Sequence, residues 1–381
     1  MDMNELRRQI DETDAQIVRL YRQRMDIVSQ IGAYKREHGL PVYDSERERQ
    51  LLNKMGDMAG EEFESGVRAL FSMLMEQSRA RQLLSSGKKS ALGEQISRAV
   101  RDTEALFPPK AMVACQGVEG AYSQIACEKL FSAPSILYFK TFDSVFSAIE
   151  SGLCRYGILP IENSLAGSVN SVYDQMIRHH FYIVRSTRIK IDHMLLALPG
   201  VSLSDVREVY SHEQAINQCS EFLASHKDWH VNICSNTAAA AKMLRDSGRT
   251  DAAAISSGNC AALYGLQRLA GDIQNNSNNH TRFICISKKL EIYPGADHTS
   301  LMLVLPNKPG SLWQLLSRFY ARGINLTKLE SRPMPGRDFE FMFYFDIDAS
   351  VYSPAFAHLI EELDATLEDF SYLGSYTETV S

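Results

Sequence analysis

The feature that most constrains this chain is a long helical pattern at its amino end. Leu6, Ile10, Ile17, Leu20, Val28 and Ile31 recur at three- and four-residue steps. A helix of about 30 residues is longer than a globular domain usually holds, and its apolar stripe must be covered. The pattern therefore predicts a helical dimer. The segment HGLPVYD ends this helix at Gly39 and Pro41. A second begins near Asp44, a good N-cap, with Arg47 and Glu48 following, and VRALFSMLMEQSRARQLL forms a third. Residues 83–95, with Ser, Gly and Lys, read as a linker, and residues 91–107 as a connecting helix ended by Pro108 and Pro109.

A length of 381 residues predicts two or three domains. The boundaries fall at 1–90, 91–109 (the linker), 110–290 and 297–381. A net charge of -6 gives no general attraction for nucleic acid, so an anionic ligand must find local basic groups. The 7 cysteines are scattered, with no Cys-x-x-Cys pair, which predicts neither a zinc site nor a disulfide framework and fits a reducing cytoplasm. The amino end has no signal-type apolar stretch, and no apolar run approaches the roughly 20 residues that span a membrane. Neither Gly-x-Gly-x-x-Gly nor Gly-x4-Gly-Lys-Ser/Thr occurs, so no cofactor and no metal are expected.

From Ala111 short β-rich runs (AMVACQG, YGILPIEN, REVYSH, AAAIS) each precede a helical run (AYSQIACEKLF, SVNSVYDQMI, EQAINQCSEFL, SGNCAALYG). This alternation predicts an α/β domain with a mostly parallel sheet, whose ligands sit at the carboxyl ends of strands. The polar turns there hold Glu162-Asn163-Ser164, Ser211-His212 and Thr281-Arg282, which predicts one shared cleft. Read locally, Thr281 and Arg282 also fit the plain edge of a strand after a turn-forming run of amides. Arg282 also fits an ion pair with an acidic neighbour, and nothing marks His212 as a base. From Thr299 the order strand, helix, strand, strand, helix, strand is the split β-α-β-β-α-β unit of ferredoxin-like folds.

In the first helix, Arg24 and Lys35 lie within about 20° of each other around the axis, on a face shared with Val28 and Ile31. Cations on a buried stripe need an anion. Arg7 lies about 100° away, placed to serve a second copy of the site. Asp44, Arg47 and Glu48 share one face of the second helix, and Ser78 and Gln82 one face of the third. Taken singly, each also fits a solvated polar surface.

Together these positions resemble the all-helical chorismate mutases. The resemblance implies an all-α domain in which Arg7 (from the other subunit), Arg24 and Arg47 hold carboxylates. Lys35 and Gln82 would bind the ether oxygen as its C–O bond breaks, Asp44 and Glu48 the ring hydroxyl and neighbouring groups, and Ser78 would lie near a carboxylate. The α/β region resembles prephenate dehydratase through GVEGAYS (117–123), PIENS (160–164), VYSH (209–212), LYGL (263–266) and NHTRF (279–283). That implies a two-lobed, periplasmic-binding-protein-like domain. In it Thr281, with Glu162, would present a donor to the departing ring hydroxyl. Arg282 would hold a substrate carboxylate, with Asn163 and Gln218 as further polar contacts. The last region resembles an ACT domain, an α+β ferredoxin-like module, through PGSL (309–312) and ESRP (330–333). This implies that Gly310, Ser311, Leu312, Glu330, Ser331 and Arg332 bind phenylalanine at a dimer interface; read alone, the unit also fits dimerisation without a ligand. The whole predicts a multidomain, cytoplasmic, bifunctional enzyme, homodimeric or homotetrameric. It would convert chorismate to prephenate and then to phenylpyruvate under feedback by L-phenylalanine. A two-lobed sensor of amino or organic acids on a helical dimerisation stalk is the alternative.

Overall fold

The computed structural model describes residues 2–84, 90–334, 336–337 and 340–380; the Ser-Gly-Lys centre of the expected linker, 85–89, lies outside the described residues. Four helices come first: α1 (Met3–Glu37), α2 (Ser45–Ala59), α3 (Glu64–Leu84) and α4 (Ala91–Asp102). The next region runs β1 (Met112–Gln116), α5 (Tyr122–Leu130), β2 (Ser135–Phe139), α6 (Phe142–Glu150), β3 (Tyr156–Asn163), β4 (Gly167–Ser168), α7 (Asn170–Met176), β5 (Tyr182–Lys190), β6 (Met194–Ala197) and β7 (Glu208–Ser211). It continues through α8 (Glu213–Gln218), α9 (Ser220–Ala224), β8 (His230–Ile233), α10 (Thr237–Ser247), β9 (Ala252–Ser256), α11 (Gly258–Tyr264), β10 (Gln267–Ala270) and β11 (His280–Ser287). The carboxyl-terminal part is β12 (His298–Leu305), α12 (Ser311–Ala321), β13 (Asn325–Pro333), β14 (Phe341–Asp348), α13 (Pro354–Thr366), β15 (Phe370–Tyr376) and β16 (Glu378–Thr379).

The chain forms two compact units that do not follow its linear order. One comprises Met1–Gln95, Val304–Ile324 and Tyr352–Phe370; the other comprises Ile96–Leu303, Asn325–Val351 and Ser371–Ser381. The first unit is helical. Asp2 caps α1 by accepting the Glu5 N–H at 2.8 Å, and Gly39, at φ 63, follows its end. Helices α1, α2 and α13 all pack on α3. At Gly32 the first and third helices meet so closely that an added Cβ would lie 3.0 Å from Gln82 Cα. Glu76 on α3 is buried against Arg318 of α12, and Glu362 of α13 pairs with Arg318 at 3.4 Å and with Arg322. Buried carboxylates persist only where cations offset their lost hydration, so these pairs fix α12 and α13 against α3. The stripe on α1, however, is covered only at Val28. Ile10 is 61% and Leu20 64% exposed, and Leu6, Ile17 and Ile31 are exposed too, because α3 packs against only one side of so long a helix.

Among the described residues the second unit holds three sheets. Their strand orders are β16-β5-β11-β3-β1-β2, with β4 beside β3; β10-β6-β9-β7-β8; and β13-β14-β12-β15. The expected mostly parallel sheet is instead two mixed ones. The chain leaves the first sheet after β5, builds the second, and returns as β11, which runs antiparallel to both β3 and β5. Two crossings make two lobes. The third sheet has the order of a split βαβ unit, and one of its faces joins the core of the first sheet: Met342, Tyr344 and Tyr376 share a cluster with Leu159, Ile161 and Tyr173. Gly374 permits this approach. Its φ is +133, and an added Cβ would stand 2.3 Å from the Ile183 carbonyl oxygen on β5.

Candidate active sites

In the helical unit, α3 presents Ser78 and Gln82 to α1. Arg24 donates to Ser78 Oγ at 2.5 Å and to the Leu74 carbonyl at 3.1 Å. Lys35 donates to the Val42 carbonyl at 2.8 Å. Both cations are partly buried, and among the described residues no carboxylate pairs with either. Burial pulls the Arg24 guanidinium below its ordinary value, against the opposing effect of Tyr21. Asp44 stands at the N-cap of α2 rather than within it, accepting the Arg47 N–H at 2.9 Å. Glu48 is taken up by Arg79 at 2.5 Å, and the Arg47 side chain is exposed. Arg7 is seventeen residues before Arg24 on one straight helix, hence about 25 Å along its axis. Within one chain the structure therefore joins Arg24 to Ser78 and brings Gln82 to α1, and leaves Arg7 far away.

The other site is a cleft of about 580 Å³ between the two α/β lobes. Strand alternation decides who faces it. Thr281 pairs with Asn163 and Arg282 with Glu162, while Phe283 pairs with Pro160, so Ile161 is an extra residue that bulges β3. Asn163, Thr281, Pro160 and Phe283 line the cleft. Glu162 and Arg282 fall on the opposite face, and both expected roles need correction. Arg282 pairs with buried Asp346 and, at 2.9 Å, with Glu378; it also donates to Tyr376 Oη at 2.9 Å and Ser186 Oγ at 3.1 Å. Burial alone would disfavour its charge, but Tyr376 and Asp346 outweigh that and push it above its ordinary value. Glu162 accepts from Lys328 at 2.9 Å. An alternating strand cannot aim adjacent residues into one cavity.

What remains in the cleft carries no fixed charge. Among the described residues that line it there is no Arg, Lys, Asp or Glu. The amino ends of α5, at Tyr122 and Ser123, and of α10, at Asn236 and Thr237, also line it, and helix amino ends favour anions. Asn163 organises the polar wall. Its Oδ1 accepts the Leu165 and Ala166 N–H groups at 3.1 and 2.9 Å. Its nitrogen donates to Thr281 Oγ1 at 2.9 Å and to Asn279 Oδ1 at 2.8 Å. Asn279 donates on to Gln218 Oε1 at 3.1 Å. Since Thr281 already accepts from Asn163, its own proton is free to point into the cleft; among the described residues nothing accepts it. His212 caps α8, accepting the Gln214 N–H at 3.3 Å. Sequence reading missed Asn279, although it stands two residues before Thr281 and so shares its strand face. It also missed His193, which carries no local signal.

Of the expected effector residues, Gly310 caps α12 at φ 87, with Ser311 and Leu312 in its first turn. Glu330, Ser331 and Arg332 lie on β13 in the other unit. They are already engaged there: Glu330 accepts from Ser168 Oγ, and Arg332 pairs with Asp174 at 2.7 Å. Lys328 also donates to Ser168 Oγ, at 2.8 Å.

A two-lobed cleft, a helical cation cluster and a split βαβ sheet in one chain make a multidomain protein with two candidate sites. Family models match each part in order: chorismate mutase type II over residues 6–83, prephenate dehydratase over 113–291 and the ACT domain over 299–362. The bifunctional chorismate mutase/prephenate dehydratase of Escherichia coli (strain K12) is 28% identical over 381 residues, covering 97% of this chain and 95% of that protein. The Arabidopsis thaliana arogenate dehydratase/prephenate dehydratase 2, chloroplastic, is 38% identical over 279 residues, covering 70% and 73%. The structure of an Arthrobacter aurescens prephenate dehydratase in complex with L-Phe superposes with a TM-score of 0.65 at 29% identity, covering 70% of this chain and 90% of that one. The chain belongs to the prephenate dehydratase family, in the bifunctional form that carries a chorismate mutase domain before the dehydratase and an ACT domain after it.

Because Arg282 faces away from the cleft, Arg282→Met should act on stability. Leaving Asp346 and Glu378 buried without their cation is expected to cost about 3–5 kcal/mol, read as a lowered midpoint of denaturant unfolding. A rise in the prephenate KM without loss of stability would overturn this placement.

Proposed function

We propose that the helical site rearranges chorismate to prephenate and that the cleft converts prephenate to phenylpyruvate. The observation that carries the second step is the direction of the Asn163–Thr281 hydrogen bond. As the carboxylate leaves as carbon dioxide, the electron pair of its C–C bond enters the ring and the bond to the ring hydroxyl breaks. Thr281 is too weak an acid to give up its proton outright, so it donates a hydrogen bond to the departing oxygen, whose proton comes finally from water. Asn163 and Gln218 orient the substrate, and the first turns of α5 and α10 receive its carboxylates. No external electron sink is needed, because the ring becomes aromatic. The absence of acidic lining among the described residues favours prephenate over arogenate, whose ammonium group would find no carboxylate there.

The mutase step needs no nucleophile. A dianion must be folded into its reactive shape and its developing charge met by fixed donors. Arg24 and Lys35, partly buried without carboxylate partners, suit this, with Ser78, Gln82, Arg47, Asp44 and Glu48 as the proposed further contacts. Thr281→Val should lower dehydratase turnover by about 10²–10³ while the mutase persists, and Lys35→Met should do the reverse, as expected for loss of one donor to a developing oxyanion. Separate assays on each variant check this, and parallel loss of both activities would refute two independent sites.

The exposed stripe on α1 and the distance of Arg7 from Arg24 support a homodimer in which Arg7 serves the partner's site. Ile17→Glu should convert the dimer to single chains in sedimentation and remove mutase activity with it. A parent protein that already sediments as a single chain would refute the shared site. Seven free cysteines support a reducing, cytoplasmic setting; among the described residues no helix is long and apolar enough to cross a membrane.

L-phenylalanine is the proposed effector, with Gly310, Ser311 and Leu312 and, separately, Glu330, Ser331 and Arg332 as its contacts. Lys328 and Glu330 both hold Ser168, in the short strand paired to β3. A ligand that recruited Glu330 would release that hairpin, whose turn supplies the two N–H groups that orient Asn163. Glu330→Ala should weaken phenylalanine binding about tenfold by calorimetry, the effect of losing one charge-assisted contact. Unchanged affinity would remove Glu330 from the sensor.

A further inference from the structure

We propose that His193 is a positioning residue of the dehydratase site, acting through Gln218; the inference rests on the dehydratase reading above. Two backbone N–H groups set the polarity. Because Leu165 and Ala166 both donate to Asn163 Oδ1, at 3.1 and 2.9 Å, the Asn163 nitrogen must face Asn279 Oδ1, at 2.8 Å. The Asn279 nitrogen then faces Gln218 Oε1, at 3.1 Å. A carboxamide has one oxygen and one nitrogen, so the oxygen of Gln218 is fixed at this end. His193 Nε2 lies 2.9 Å from the same oxygen and must therefore donate to it. The ring is the Nε2–H tautomer, and the Gln218 nitrogen becomes the free end of the chain, on a side chain that lines the cleft. Among the described residues nothing accepts from that nitrogen, which leaves it for an oxygen of the dianionic substrate.

The ring cannot turn away from this duty. It sits edge-on to Tyr122, with centroids 6.4 Å apart, and the Tyr122 hydroxyl is fixed on the Asp192 carbonyl at 2.8 Å. The His193 backbone N–H donates to Gln274 Oε1 at 2.9 Å, which fixes the main chain beneath the ring. The imidazole is 2% exposed, and its Nδ1 is buried without a hydrogen-bond partner. Burial holds it below the ordinary histidine range, against the opposing effects of Gln218 and Asp192. A neutral ring with one proton, on the nitrogen that meets Gln218, is the arrangement that fits.

A double-mutant cycle on the full chain tests this, with the mutase activity of each variant as the control for folding. His193→Leu should raise the prephenate KM about tenfold, the effect of losing one oriented neutral hydrogen bond, and His193→Gln, which can still donate near the Nε2 position, should recover most of it. In a Gln218→Leu background the same His193→Leu change should cost less than about twofold, because its target is gone. Equal cost in both backgrounds would overturn the proposal and leave the ring a packing element. Should His193→Leu lose the mutase as well, His193→Gln and Gln218→Leu complete the cycle, and a His193→Gln protein no better than an unfolded one would also overturn it. A parent protein that forms no phenylpyruvate from prephenate would instead refute the underlying reading.

Discussion

A β-strand has two faces, and β11 uses both. Thr281 and Phe283 point into the cleft, while Arg282 between them points the other way and binds Asp346 and Glu378. The strand's position in the second unit depends on this division. On one side its hydroxyl is polarised by Asn163; on the other its guanidinium draws in a strand of the third sheet and the last strand of the chain. An ion pair so buried contributes little net stability compared with apolar packing, but removing one partner is costly, and so it specifies a single arrangement. The face that lines the cleft is held still by the electrostatics on the other.

The same logic recurs in the helical unit. Glu76, Arg318, Glu362 and Arg322 form a buried network joining α3 to α12 and α13. Ser78, two residues after Glu76, meets Arg24. Both sites are thus braced by segments that follow residue 300 in the chain. The ACT region is not a bead on a string: its helices belong with the mutase helices, and most of its sheet with the dehydratase lobes.

Much of this was legible in the sequence. The apolar stripe marked α1, Asp44 marked the cap of α2, and the split βαβ pattern gave the order of elements in the last region. Asn163 and Thr281 were found by motif and do face each other. Glu162 and Arg282 were misplaced because adjacent motif letters look equivalent until register and the bulge at Ile161 separate the faces. The mixed sheets were missed because an α/β alternation does not reveal that the chain leaves one sheet and comes back. His193 was beyond reach: its partner Gln218 is twenty-five positions away, and only the fold joins them. The exposure of Leu6 and Ile10 shows the opposite limit: an apolar stripe is legible in the sequence, but not that one chain leaves it uncovered.

The short strand β16 has a consequence for biogenesis. Its Glu378 neutralises Arg282 and also pairs with Arg188 at 2.6 Å, and the strand completes one edge of the first sheet beside β5. Domains usually fold in the order in which the ribosome delivers them. Here the catalytic lobe begins near residue 112 but has its guanidinium fully compensated only after residue 378 has been synthesised. The nascent lobe therefore keeps an unbalanced cation in its half-built sheet until the strand that follows the ACT helices has been made.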